Sequence, residues 1–186
     1  MPMNKTRNFW ILRGTAVLLL LFPLVAPSTA GKAKSVVGDH ADFARYKTYQ
    51  WVPVKVLTKT GVVEDDPAVS PAIRTAVNRE LAAKGLTEVQ EGGDLQVAAF
   101  AATSSVPQLE AVLFPGSLDM MYATPIATMG RYNKEGTLAI NLIDSRTKTS
   151  AYAALVTDSL DNKPGSGVRK IPAAAKKLFS KYPATK

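Results

Sequence analysis

The stretch Glu135–Thr157, EGTLAINLIDSRTKTSAYAALVT, constrains the fold more than any other part of the chain. Leu138, Ile140 and Leu142 alternate with Ala139, Asn141 and Ile143. Asp144-Ser145-Arg146-Thr147-Lys148 breaks the pattern, and a second run of small and aromatic residues follows. Period-two alternation on both sides of a polar break predicts a β-hairpin with one buried face. The remaining segments are therefore read as strands and helices that extend and cover that sheet.

Export limits how such a sheet can be stabilised. Lys5, Arg7 and Arg13 precede an apolar run from Gly14 to Val25, and Pro27-Ser28-Thr29-Ala30 follows it. This is the layout of a secretory signal peptide, with small residues at Ser28 and Ala30, and it predicts cleavage after Ala30. Pro23 and Pro27 interrupt the run short of the ~20 apolar residues that span a bilayer, so no transmembrane segment is expected after cleavage. An uncleaved run would instead leave the protein membrane-associated. The chain has no cysteine, which excludes disulfides, thiolate metal sites, cysteine nucleophiles and a lipid-acceptor residue at the cleavage point. Free periplasmic residence follows. The roughly 155 mature residues must hold together through one hydrophobic core.

Cleavage removes three basic residues and no acid, lowering the net charge from +8 to +5. That balance suits anionic partners. The densest basic set, Arg169, Lys170, Lys176, Lys177 and Lys181, reads as the solvated side of an amphipathic helix.

In chain order, residues 31–37 have no clear period and are expected to be a flexible start. Phe43–Val52 is aromatic- and Thr-rich and alternates, placing Tyr49 and Trp51 on one side and Tyr46, Thr48 and Gln50 on the other, a strand that Pro53 ends. Residues 54–66 read as a connection. Its closing Glu64-Asp65-Asp66 complements the dipole of the helix that follows, a simpler role than metal binding. Ser70 at N-cap, Pro71 at N1, the stripe Ile73, Ala76, Val77 and Leu81, and Gly85 at the C-terminal turn predict a helix over 71–84. Leu86–Val89 is a short strand. The run from Leu95, LQVAAFAATSS, is a strand whose small residues allow a close helical overlay. A last helix is expected from Ile171 or Pro172, which suits only a first turn, with Ile171, Ala175, Leu178, Phe179 and Tyr182 on its buried face.

Residues 104–131 lack periodicity and carry Leu113, Phe114, Met120, Met121 and Tyr122. A long apolar loop is the natural place for ligand or partner contact, and methionine adapts to irregular apolar surfaces. The alternative is that these side chains fold back and cap the core. His40, the single histidine, lies beside Asp39 and Asp42. One imidazole without cysteine does not build a three-ligand zinc centre, so neither a metal nor another cofactor is expected. Ser104, Ser105 and Ser117 lie in no nucleophile elbow, and no glycine-rich phosphate loop occurs. Tyr46, Tyr49 and Trp51 resemble a base-stacking set, but export argues against nucleic acid.

The blocks ADFARYKTYQW, NRELAAKGL, GDLQVAAF, EGTLAINLIDSRTKTSAYAA and AAKKLFSKYP occur in an order that resembles the bacterial envelope family known as domain of unknown function 4136, over residues 38–184. The resemblance implies one α+β domain, a two-layer sandwich. A mostly antiparallel sheet of about five strands carries two helices on one face. Members are commonly lipoproteins, and this sequence departs in lacking the acceptor cysteine. The function expected is that of a non-enzymatic envelope binding module that presents 104–131 to an envelope protein, a lipid or an apolar ligand. The alternative is a hydrolase of envelope glycan working through a carboxylate pair, with Asp65, Asp66, Glu110 and Asp119 as candidates.

Overall fold

The structure is a computed structural model that describes residues 32–58, 61–102, 135–160 and 163–183. The predicted hairpin forms its centre. Strands β7 (Glu135–Asp144) and β8 (Ser150–Ser159) pair antiparallel, Leu138 opposite Val156 and Leu142 opposite Tyr152, around the turn at Ser145–Thr149. Strand β6 (Leu95–Ala102) adds antiparallel to β7. Strand β1 (Lys32–Val37) closes the other side along β8, from Lys32 opposite Thr157 to Val37 opposite Tyr152. The expectation of a flexible start at 31–37 is thereby corrected: a six-residue segment without a strong period still pairs when a long strand offers its open edge.

Beyond β6 the sheet divides. Strand β2 (Thr48–Trp51) runs parallel to the first half of β6 and β3 (Lys55–Thr58) parallel to its second half. Pro53 and buried Val54 lie between them. Outside these lie β5 (Thr87–Glu88) on β2 and β4 (Gly61–Glu64) antiparallel to β3. The segment 54–66 is thus a second hairpin and not a plain connection, its strands too short at four residues each to show a period. The α+β architecture is the expected one, with a larger sheet of eight strands. The pairs β2–β5, β2–β6 and β3–β6 are parallel because α1 lies between their partners in the chain, whereas the directly connected β3 and β4 pair antiparallel.

Helices α1 (Ser70–Ala82) and α2 (Ser166–Leu178) pack on the same face. α1 buries Ile73, Ala76, Val77 and Leu81, the predicted stripe. Asp66 closes the turn that leads into it: Oδ1 accepts from the amides of Ala68 and Val69 at 2.8 and 3.1 Å, and among the described residues the helix itself has no side-chain cap. Ser70, the expected cap, has instead a buried hydroxyl without a partner among the described residues. α2 begins one and a half turns earlier than expected, leaving Pro172 inside it. The proline ring faces solvent, while Val168 and Ile171 in the turn before it pack on the sheet. Burial of that turn outweighs the loss of one helical hydrogen bond.

Two apolar clusters result. The larger joins both helices to Tyr49, Leu95, Val97, Leu138, Ile140, Leu142 and Tyr152. Tyr46 enters it too, because it precedes β2 and is not bound by the pleat. At one end Phe43, Tyr46, Tyr152, Phe179 and Tyr182 form a chain of ring contacts, with centroids 5.1–6.3 Å apart. The smaller cluster is Ala98, Phe100, Ala102, Ala139, Ile143, Ala153 and Leu155 on the opposite face. The hairpin therefore buries both faces, not one.

Candidate functional site

A cavity of about 290 Å³ opens between the N-terminal half of α2, the start of α1 at Val69, and the sheet end where β6 finishes, β7 begins and β8 finishes. Its floor is Ala101, Ala102 and Leu138, with Val156 beside them, and its roof is Val168, Ile171 and Ala174. Small residues make the space. A side chain at Gly136 would come within 3.1 Å of the Leu160 methyl groups, and Leu160 also lines the cavity. Alanines at 101 and 174 stand where larger residues would bring helix and sheet into contact.

The mouth is polar. Asp158, Lys163 and Lys170 stand there beside the first turn of α2. Lys170 donates to the Ser159 carbonyl and lies 3.7 Å from Asp158 Oδ1. α2 starts after Gly165 in the left-handed region, φ 70°, and among the described residues it has no side-chain cap and no acid in its first turn. An apolar chamber with a few polar groups at one end is the usual form of a small-ligand site, here at the small end of the range.

A second polar cluster holds the opposite end of the sheet. Asp144 is 4% exposed. Its Oδ2 accepts from Arg45 at 2.8 Å and from the Tyr46 hydroxyl at 2.9 Å, and its Oδ1 from the amides of Arg146 and Thr147. Burial pushes this carboxyl up, but those four donors outweigh it and hold it below the usual range. The Tyr46 hydroxyl is pushed up to about 12 by its burial and by the Asp144 carboxylate. Asp94 Oδ2 accepts from the amides of Lys47 and Thr48 and from the Thr48 hydroxyl. These bonds tie the loops around residues 45–48, 94 and 144–147 together.

The sequence candidates fare differently. Leu113, Phe114, Met120, Met121 and Tyr122 lie outside the described residues, as do Glu110, Asp119, Ser104, Ser105 and Ser117 and the segment 1–30. Yet Ala102 and Glu135, where residues 103–134 depart and return, adjoin the cavity walls Ala101, Gly136 and Thr137. Asp65 accepts from the Val54 amide and Arg74, and Asp66 from the Ala68 amide in the turn ahead of α1, so both carboxylates hold the fold. His40 is exposed. Tyr46 and Tyr49 are each 2% exposed, and the Trp51 indole donates to Asn78 Oδ1 at 2.8 Å; these rings present no stacking surface. Sequence reasoning missed the cavity. Its signal is a set of small residues, Ala101, Gly136 and Ala174, that reads equally as tight layer packing.

Comparison with known proteins decides the lineage. The family model described as Domain of unknown function (DUF4136) matches residues 34–184. The chain belongs to the DUF4136 family. No curated protein matches it in sequence. Among solved structures, a DUF4136 family protein from Bacteroides thetaiotaomicron is 11% identical, with a TM-score of 0.55 over 84% of this chain and 98% of that one. A PDZ domain protein from Parabacteroides distasonis is 15% identical, with a TM-score of 0.51 over 82% of this chain and 36% of that one. A PelC dodecamer from Paraburkholderia phytofirmans is 13% identical, with a TM-score of 0.49 over 81% and 97%. At such identities the first two likenesses concern the fold alone. Among the described residues of this DUF4136 protein, no helix is long and apolar enough to cross a membrane.

Proposed function

We propose that this DUF4136 protein is a non-enzymatic binding module of the bacterial envelope that takes an apolar ligand in the cavity beneath α2. The observation that carries the reading is the chamber itself, aliphatic within and polar at one end. Its volume is about twice the 150 Å³ of an engineered apolar cavity that binds benzene. Residues 103–134 leave and rejoin the sheet beside it. In this reading Leu113, Phe114, Met120, Met121 and Tyr122 contribute apolar contacts to the ligand or to the partner that delivers it. The envelope location is supported by the basic and apolar N-terminal segment with its small residues at Ser28 and Ala30.

The test is native mass spectrometry on protein extracted from the envelope of its own source. The expected result is a polypeptide of residues 31–186 carrying a non-covalent mass of a few hundred daltons that is lost on denaturation. A bare polypeptide, combined with failure of the full chain to take up a neutral apolar dye, refutes the reading.

A further inference from the structure

Resting on the ligand site proposed above, we infer that its occupant is an unbranched aliphatic chain of at most about twelve carbons, recognised by the walls of the chamber and not by its mouth. The polar groups of the mouth are already engaged. Lys170 donates to the Ser159 carbonyl and stands 3.7 Å from Asp158 Oδ1, and Lys163 has a partner as well. Selection therefore falls to the size, shape and chemistry of the space within.

Size sets the length. An engineered apolar cavity of about 150 Å³ holds the six carbons of benzene, and at that volume per carbon the 290 Å³ here takes about twelve. One alkyl chain fills it, whereas a two-chain lipid or a sterol is excluded from full enclosure. Shape sets the form. The space lies between sheet and helix where large side chains are missing, at Ala101 and Gly136 on the sheet and Ala174 on α2. A gap left by absent side chains between packed layers is about one side chain thick. An alkyl chain lies along such a slot, and a fused-ring system needs more width.

Wall chemistry agrees with shape. Val56, Val69, Val156, Val168 and Ile171 are branched aliphatics, and among the described residues lining the cavity none is aromatic. A flat ring finds no face to stack on. Two positions hold the length limit. Leu160 lines the chamber with its methyl groups 3.1 Å from where a Cβ on Gly136 would lie. Leu160→Ala adds room for about three carbons, and Ala174→Leu on the roof removes about as much.

The test is calorimetric titration of the full chain with alkyl maltosides of six to fourteen carbons, whose neutral heads stay in water, each below its micelle concentration. Affinity should rise about fourfold with each added carbon and level off at about ten to twelve. A fused-ring counterpart with ten carbons, 2-naphthyl maltoside, should bind about tenfold or more weaker than decyl maltoside. Ala174→Leu should move the break to chains about three carbons shorter, and Leu160→Ala to chains longer by a similar number. A rise that continues unbroken through fourteen carbons, or equal binding of the naphthyl and decyl compounds, overturns the chain while leaving the apolar site standing. A break that neither variant moves puts the binding outside this chamber and overturns both, as does absence of binding by every compound. Should Ala174→Leu fail to fold, Leu160→Ala and the wild-type series are enough to separate these outcomes.

Discussion

Asp144 is the residue whose removal most directly tests how a fold without cysteine is held together. In Asp144→Ala the Tyr46 hydroxyl, buried with its residue 2% exposed, loses its acceptor. A hydrogen bond to a charged acceptor contributes about 1.5–3 kcal/mol. The Arg45 side chain is 38% exposed, so its ion pair is screened and adds roughly 0–1 kcal/mol. The amides of Arg146 and Thr147 belong to exposed residues and turn to water at little further cost. The total is about 3 kcal/mol, a fall in Tm of roughly 6–12 °C for a domain of this size. The sign with pH follows from the lowered folded-state carboxyl. Its stabilisation is complete above the ordinary Asp value of about 3.9 and is lost as pH falls through the lower folded value. Urea unfolding of the full chain, followed by circular dichroism at about pH 7, 5 and 3, should therefore show a wild-type advantage at the first two that narrows at the third. A Tyr46→Phe double-mutant cycle should assign most of the coupling to this pair. A difference under about 1 kcal/mol at pH 7, or one that stays constant down to pH 3, would refute this account of Asp144.

Three further substitutions probe separate features. Tyr182 has a buried hydroxyl with no partner among the described residues, so Tyr182→Phe should leave stability unchanged or raise it by up to about 1 kcal/mol; a loss beyond that in chemical denaturation contradicts the absence of an acceptor. Pro172→Ala restores an amide to the interior of α2 at a solvent-facing position and should raise stability by about 1–2 kcal/mol, net of the greater freedom of its unfolded chain. A fall in Tm contradicts it. A Cβ at Gly93 would lie 2.6–2.9 Å from the backbone of Tyr49 and Gln50, atoms that do not move aside. Gly93→Ala should therefore cost about 2 kcal/mol or more and loosen the β2–β6 pairing, visible as lost amide protection at Val52, whose amide donates to the Val97 carbonyl. Unchanged protection counts against it.

The local and periodic parts of this protein are legible in its residues alone. The hairpin at 135–157 follows from alternation, the stripe of α1 from its 3.6-residue spacing, and the lineage from five blocks in order. These signals survive because neighbours along the chain produce them. What depends on distant residues was set only by the folded arrangement. β1 exists because β8 has an edge to pair, although Lys32–Val37 carries little pattern of its own. α2 continues through Pro172 because the turn before it is buried against the sheet. The cavity exists because small residues from β6, β7 and α2, more than seventy positions apart at the extremes, meet where the two layers separate. A space is a property of several chain segments at once, and no periodicity within one of them records it.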